Sequence, residues 1–102
     1  MPLTAQQKKH YRAIGHKLNP VVIVAGNGLS EGVIEETLRA LEDHELIKVK
    51  FQVGDREVKK SLIPQLCQQC DAELVQTIGN IALILKHASK PKVQLSNLTR
   101  PI

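Results

Sequence analysis

Residues 21–50 read VVIVAGNGLSEGVIEETLRALEDHELIKVK, and this stretch decides the fold. It starts with the apolar run VVIV and passes through a tight turn of four small residues, Ala25-Gly26-Asn27-Gly28. Apolar residues then recur at helical spacing, and the stretch ends with the alternating sequence ELIKVK. This order predicts a strand, a turn, an amphipathic helix over about residues 30–43 and a second strand over about residues 45–50.

The turn before this helix carries no bulky side chain. Backbone N–H groups at a helix N-terminus lack helical partners and carry partial positive charge, so a phosphate can approach them across such a turn. Ser30 is the predicted N-cap of the helix. Glu31 in the first turn suits the helix dipole, but its charge would repel a phosphate. A phosphate site here therefore needs lysines from neighbouring elements.

The second strand provides two such lysines. Because side chains alternate along a strand, Lys48 and Lys50 face one side of the sheet, while Ile47, Val49 and Phe51 face the other. A turn able to accept an anion beside a basic sheet face indicates nucleic acid as the partner.

The N-terminal sequence predicts a further helix with basic residues. Thr4 and Gln7 have capping-box spacing, which predicts a helix that ends near Ile14 with Gly15 as its C-terminal cap. The basic residues that could extend a phosphate-binding surface here are Lys8, Lys9, Arg12, His16 and Lys17. An ordinary solvated helix surface would have the same pattern.

The rest of the chain predicts one more helix and a hairpin. Asp55 is the predicted N-cap of a helix that reaches about Cys70, and Pro64 inside it predicts a kink or short break near residues 60–63. Strands over about residues 73–78 and 81–86 are joined by Gly79-Asn80, which suits a two-residue hairpin. Residues 1–87 therefore form one predicted domain, and residues 88–102 a mobile basic tail.

The predicted element order is α-β-α-β-α-β-β. Strands separated by helices are expected to be parallel with right-handed crossovers, whereas the final hairpin is antiparallel. The fold class is therefore α/β, in the two-layer α+β form, with a four-stranded mixed sheet and helices mainly on one face.

Composition narrows the function. The chain has 102 residues, a net charge of +4 and a pI of about 9.3, which fits one domain with a polyanionic partner. It has one Tyr, one Phe and no Trp, so platforms that stack bases on aromatic rings are disfavoured, and recognition of the backbone and shape of structured RNA is favoured. No apolar run is long enough for a secretory or membrane segment, so a cytoplasmic location is expected.

No catalytic or metal-binding pattern is evident. Cys67 and Cys70 form a Cys-x-x-Cys pair, but a zinc site needs two more ligands, and no second pair has suitable spacing. Both lie near the end of a predicted helix, where the dipole opposes thiolate formation, so we expect reduced thiols with at least one in the core. We expect no enzyme activity, no metal and no cofactor.

The segment NPVVIVAGNGLSEGVIEETLRALEDHELIKVK closely resembles the CRM RNA-binding domain family, in its bacterial single-domain YhbY form. The motifs that carry the resemblance are Gly-Leu-Ser-Glu-Gly-Val from Gly28 and His-Glu-Leu-Ile-Lys-Val-Lys from His44, and the likeness extends over residues 6–86. It implies a fold similar to the C-terminal domain of translation initiation factor three, with strand order 1-2-4-3 and the last strand antiparallel to the others.

The resemblance also implies function. It implies RNA binding through a Gly-x-x-Gly loop after the first strand, and association with ribosomal RNA in precursors of the large ribosomal subunit. The first glycine of that loop is replaced here by Ala25, so a positive φ at this position would be strained. Gly26 could then provide the turn instead.

The combined expectation is an RNA-binding ribosome assembly factor that acts as a monomer, without a membrane or small-molecule partner. Phosphates would meet Gly26, Asn27 and Gly28, while Lys17, Lys48 and Lys50 supply charge. Two other classes stay open. One is a protein-interaction adaptor that uses the acidic second helix, and the other is a duplex DNA-binding protein of related fold.

Overall fold

The computed structural model describes residues 3–26 and 28–99. Its elements are α1 (Ala5–Gly15), β1 (Pro20–Val24), α2 (Glu31–His44), β2 (Leu46–Phe51), α3 (Arg56–Cys70), β3 (Glu73–Ile78) and β4 (Ile81–Leu85). The predicted order of helices and strands is confirmed, with bounds that differ by one or two residues.

The four strands form one mixed sheet in the order β1-β2-β4-β3. β1 and β2 are parallel, and β4 lies between β2 and β3, antiparallel to both. Only β4 therefore runs against the other three strands. The implied order 1-2-4-3 and the α+β class are confirmed.

The sheet has a hydrophobic core on each face. α2 and α3 pack on one face over a core that includes Val22, Ile47, Val49 and Phe51. α1 packs on the other face, where Tyr11 and Ile14 contact a smaller core of strand residues and Leu18; its buried members are Leu18, Leu46, Val75, Leu83 and Leu85. Two of the three helices thus share one face, and α1 covers part of the opposite one.

All three helices begin at the predicted caps. The backbone N–H of Gln7 donates to Thr4 Oγ1 at 3.1 Å, and Gln7 Oε1 accepts from the Thr4 N–H at 2.9 Å, which completes the capping box. Ser30 Oγ accepts from the N–H of Val33, and an Asp55 carboxylate oxygen accepts from the N–H groups of Glu57 and Val58. Each cap satisfies N–H groups that a helix cannot satisfy internally.

Gly15 differs from its predicted role as a C-terminal cap. It is the last residue of α1, and the cap is His16, whose backbone is right-handed helical. A Cβ on Gly15 would lie 2.5 Å from Leu83 Cδ2. Glycine is therefore needed here for the close approach of α1 to the sheet, rather than for a left-handed backbone.

α3 continues through Pro64 without the predicted short break. Pro64 leaves the carbonyl of Lys60 without its usual helical donor. Both residues are exposed, so solvent can hydrate that carbonyl. The buried residues of α3 are Ile63, Leu66, Cys67 and Cys70, whereas Val58 near its start is exposed.

Glu45 connects α2 to β2 and lies just before the observed strand, although the predicted strand began at this residue. It has a positive φ of 62° and is buried. Its carboxylate accepts a hydrogen bond from Ser96 Oγ at 2.7 Å and one from the Ala88 N–H at 2.9 Å, and it lies 3.5 Å from His87 Nδ1. This buried carboxylate therefore gathers its partners from the residues that follow β4.

Residues 88–99, here the C-terminal segment, pack against the end of α2. Asn97 donates from its backbone N–H to the His44 carbonyl and from Nδ2 to the Leu46 carbonyl. The Lys92 ammonium pairs with the Asp43 carboxylate. These contacts join the C-terminal segment to α2 and β2. The mobile tail predicted for residues 88–102 stays a prediction, and residues 100–102 lie outside the described residues.

Candidate nucleic-acid interface

α1 covers only part of the sheet face on which it packs, and the rest of this face is exposed to solvent. Lys48 and Lys50 of β2 lie on it and are half-buried, while Ile47, Val49 and Phe51 point into the opposite core, as predicted. Exposed aliphatic residues flank the lysines; they are Val21 at 46%, Ile23 at 51% and Ile78 at 61% exposure. We call this surface, with Gln76, the open face.

The register of β1 and β2 places the lysines in order along this face. Lys48 lies opposite Pro20, where β1 begins, and Lys50 lies opposite Ile23, one residue before β1 ends. Lys17 lines a surface cavity together with Val21. A line of positive charge therefore runs from Lys17 through Lys48 and Lys50 toward the glycine-rich turn.

The turn itself is closed by a hydrogen bond from the Gly28 N–H to the Ala25 carbonyl, 2.9 Å long. Gly28 has a φ of +71°, whereas neither Ala25 nor Gly26 has a positive φ. Alanine at position 25 therefore introduces no backbone strain, and the left-handed residue is the last of the turn. Asn27, a predicted phosphate contact, lies outside the described residues.

The start of α2 follows the turn directly. Ser30 caps the N–H of Val33, and among the described residues the N–H groups of Glu31 and Gly32 have no hydrogen-bond partner. Gly26 has open space around the position of a Cβ. The turn is thus accessible to an anion, although the exposed Glu31 carboxylate beside it opposes one.

Only some of the basic residues near the N-terminus lie next to the line of positive charge that begins at Lys17. Lys9, Arg12 and His16 are exposed, and Lys8 is half-buried. The N-terminal end of α1 lies at the other end of the sheet from the turn, where Thr4 and Gln7 line a cavity with Asp71 and Glu73. His16 is adjacent to Lys17 in the chain, whereas Lys8 and Lys9 follow Gln7, which lines that cavity.

Residues 3–86 match the model of the CRS1/YhbY (CRM) domain. The chain belongs to this family. It is 51% identical over 100 residues to a Pseudomonas aeruginosa protein named "Probable RNA-binding protein", covering 98% of this chain and 96% of that one. It is 44% identical over 93 residues to a Haemophilus influenzae protein named "RNA-binding protein", covering 91% and 94%.

A solved structure has the same fold as this CRM domain. The solution structure of hypothetical protein SAV1595 from Staphylococcus aureus aligns with a TM-score of 0.75 and 32% sequence identity. The alignment covers 86% of this chain and 92% of that one.

The CRM domain also brings the start of α3, with its basic residues, to the same end of the sheet as the turn, which the sequence patterns did not indicate. The Gln52 N–H donates to the Val24 carbonyl, and Lys59 Nζ donates to the Gly79 carbonyl at 3.1 Å. The turn, the start of α3 and the β3–β4 hairpin therefore meet at one edge of the sheet. Other basic residues at the start of α3 are Arg56 and Lys60. The predicted parallel arrangement of β1 and β2 could have indicated this position, because the segment that follows β2 then lies at the same end of the sheet as the turn that follows β1.

The two cysteines of the CRM domain are packed inside it. Cys67 and Cys70 are both free and buried. Burial raises the pKa of the Cys67 thiol to about 11, so it is protonated at neutral pH. The prediction that at least one thiol packs in the core is confirmed. Residues 3–26 and 28–99 contain no group of three or more side chains able to hold a metal ion.

Of the described residues, none belongs to a helix with the length and apolarity that a membrane crossing requires.

Proposed function

We propose that this protein binds RNA through the glycine-rich turn and the open face, and acts in assembly of the large ribosomal subunit. The observation that carries the proposal is the pair Lys48 and Lys50. Among the described residues, neither ammonium group has an ion-pair partner, and both are partly exposed on the sheet face that α1 covers only in part. The relatives named for RNA binding support RNA as the polyanion.

In this proposal, phosphates meet the turn and the lysines together. Gly26, Asn27 and Gly28 let the RNA backbone approach the N–H groups at the start of α2, and Lys17, Lys48 and Lys50 neutralise neighbouring phosphates. Lysine acts as a point charge, so these contacts fix the position of the RNA more than its sequence. The basic residues of α1 extend the surface; they are Lys8, Lys9, Arg12 and His16.

The proposed RNA is ribosomal RNA of precursors of the large subunit, and the proposed location is the cytoplasm. With roughly four to six phosphate contacts, the RNA affinity falls steeply as salt rises, because binding releases counterions from the RNA.

A double variant, Lys48→Ala with Lys50→Ala, tests the lysines. Fluorescence anisotropy with a structured RNA, measured across salt concentrations, is expected to show a loss of affinity of about tenfold or more and a salt slope smaller by about two contacts. The matched control is Arg39→Ala with Lys90→Ala, which removes the same charge from exposed positions outside the open face. Equal losses in both variants would mean that net charge alone, and not the open face, determines binding.

Association with ribosomal particles needs a separate test. Sedimentation of a cell lysate followed by sequencing of crosslinked RNA is expected to place the protein with precursors of the large subunit. An adaptor would instead lose this association when Glu35 and Glu36 are changed to Lys, while Lys48 and Lys50 would be dispensable. A duplex DNA-binding protein would show no preference for RNA over DNA of equal length.

A further inference from the structure

The open face contains a small cavity between β2, β4 and β3. Its volume is about 110 Å³, and it is lined by Lys48, Gln76, Ile78, Ile81 and Leu83. Leu83 is buried and forms the floor, whereas Ile78 is exposed and forms a wall. The cavity therefore combines an aliphatic surface with two polar side chains.

Those polar side chains flank the floor in one cross-strand row. Gln76 of β3 lies opposite Leu83 of β4, and Leu83 lies opposite Lys48 of β2. With strands about 4.8 Å apart, the row spans about 10 Å from Gln76 to Lys48. Gly15 of α1 covers part of Leu83, so a flat group would lie against the more exposed Ile78 and Ile81, within reach of Gln76 on β3 and Lys48 on β2.

Within the described residues, neither the Gln76 amide nor the Lys48 ammonium has a hydrogen-bond or ion-pair partner. A primary amide offers two donors and one acceptor, and an ammonium offers three donors. The cavity thus presents unused hydrogen-bonding groups beside apolar walls, which is the composition of a small-ligand site.

We infer that this cavity binds one unstacked nucleobase of the RNA, with its face on Ile78 and Ile81 and its hydrogen-bonding edge toward Gln76. Lys48 then contacts the adjoining phosphate. The inference rests on the proposed RNA-binding function and adds a contact to a base, where the turn and lysines contact only the backbone.

The size of the cavity favours a single ring system. Its 110 Å³ is below the roughly 300–1,000 Å³ of sites for drug-sized ligands, and well above the roughly 30 Å³ that one water occupies. The larger cavity, of about 680 Å³ beside the start of α1, is lined by Asp71 and Glu73 as well as by Lys86 and His87, so its two carboxylates outnumber its one lysine, whereas Lys48 is the charged residue that lines the cavity on the open face. A polyanion therefore prefers the cavity on the open face.

The chemistry of the walls explains how a protein with so few aromatic residues can hold a base. Single-stranded RNA exposes unstacked bases whose edges form hydrogen bonds with proteins. Aliphatic side chains remove the face of the base from water, and an amide can pair with a base edge through a donor and an acceptor together. A protein segment would also cover the aliphatic walls, but it does not account for Lys48 and Lys50 beside them.

The test compares Gln76→Ala and Ile78→Ser with the unchanged protein. The probes are four RNA hairpins with one common stem and loops rich in A, C, G or U, together with a fully paired RNA duplex of equal length. Both substitutions are at solvent-accessible positions, so the fold is expected to persist, and circular dichroism checks this. The control Gln69→Ala changes a glutamine of α3 outside the cavity.

Each cavity variant is expected to weaken binding to at least one hairpin about tenfold, while duplex affinity and the salt slope change less than about twofold. Lys48→Ala is expected to weaken both kinds of probe. Unchanged hairpin affinity in both cavity variants, together with a loss in the Lys48→Ala variant, would overturn the base site and leave the proposed function standing. Unchanged RNA affinity in all three variants would contradict both.

A protein occupant would give a different result. Gln76→Ala and Ile78→Ser would then keep full affinity for every RNA probe but lose comigration with ribosomal particles in a lysate. That outcome would also overturn the nucleobase site.

Discussion

The hydroxyl of Ser96 donates a 2.7 Å hydrogen bond to the carboxylate of Glu45, and both residues are buried. They are 51 residues apart in sequence. Glu45 lies where α2 gives way to β2, and Ser96 belongs to the C-terminal segment. This contact is one of several polar contacts that join the C-terminal segment to the start of a central strand.

Ser96→Ala is expected to destabilise the protein by about 1–3 kcal/mol, because a buried carboxylate loses one of its hydrogen-bond donors. The measurement is the midpoint of urea unfolding, with Ser89→Ala as the control. Ser89 donates to the Glu42 carboxylate at an exposed position, so its replacement is expected to cost less than about 0.5 kcal/mol. Equal losses in the two variants would mean that the Glu45 contact contributes no more than a surface one.

Glu45 also predicts how stability responds to acid. Burial alone would raise the pKa of its carboxyl, but hydrogen bonds from Ser96 and Ala88, with the charge of His87, outweigh burial and hold the pKa below its ordinary value of 4.5. A lowered pKa in the folded state means that the carboxylate stabilises the fold above pH 4.5. This contribution is lost as the pH falls from 4.5 through the folded pKa.

Unfolding midpoints between pH 7 and pH 3 measure this loss. The Glu45→Gln variant has no titrating group at this position and is expected to lose less stability over the acid range than the unchanged protein. Identical acid slopes for the two proteins would assign the pH dependence to other carboxyls.

Gly15→Ala is expected to destabilise by a net amount of about 1 kcal/mol. Alanine gains about 1 kcal/mol in helix propensity, but its Cβ would lie 2.5 Å from Leu83 Cδ2, and overpacking of a core costs about 1–3 kcal/mol. The control is the same substitution in a Leu83→Ala background, where the clash is absent and Gly15→Ala becomes stabilising. An effect of the same sign in both backgrounds would exclude the contact as its cause.

The turn predicts opposite responses from its two described glycines. Gly28→Ala places a side chain at a φ of +71° and is expected to cost about 1–2 kcal/mol. Gly26→Ala meets no atom within 4 Å and has no positive φ, so it is expected to be neutral or slightly stabilising. Thermal unfolding of both variants measures this difference, and equal costs would contradict the described turn geometry.

Glu31→Gln is expected to strengthen RNA binding about twofold to fivefold at low salt, since it removes a negative charge beside the proposed phosphate position. The gain is expected to disappear at about 1 M salt, where charges are screened. Glu73→Gln is the control, because it removes the same charge at the opposite end of the sheet, beside the start of α1. An equal gain in that variant would mean that the effect comes from net charge rather than from the turn.

The sequence was sufficient for most of the fold because its signals are local. Thr4, Ser30 and Asp55 are caps that act within three residues, and the alternation around Lys48 and Lys50 assigns the faces of β2 directly. The mixed strand order came from the family resemblance, because pairing between distant strands is not encoded in a local pattern.

The features that the sequence did not indicate depend on contacts between distant residues. Gly15 was predicted to be a helix cap, and only its contact with Leu83 shows that it allows the close approach of α1 to the sheet. The C-terminal segment has no apolar period because it is held by polar groups, of which Ser96 and Asn97 are buried. It contacts the Glu45 carboxylate and the Leu46 carbonyl, and the sequence around those two residues did not indicate a contact with a distant segment.

Of the proposed site, too, the sequence predicted some residues and missed others. The lysines of β2 and the glycines of the turn followed from their local sequence, and the structure places them along one surface. Lys59 was missed because its position depends on the meeting of three connections at one edge of the sheet. Lys8 and Lys9 were grouped with the turn because of their charge, although the packing of α1 places them toward the far end of the sheet.

The docked C-terminal segment separates two boundaries that usually coincide. The family match ends at residue 86, whereas donors to the Glu45 carboxylate lie at Ala88 and Ser96. The segment that matches the family is therefore shorter than the segment whose residues pack together in the structure. A chain cut after residue 86 would leave the Glu45 carboxylate without these two donors, and we expect it to be less stable than the longer chain.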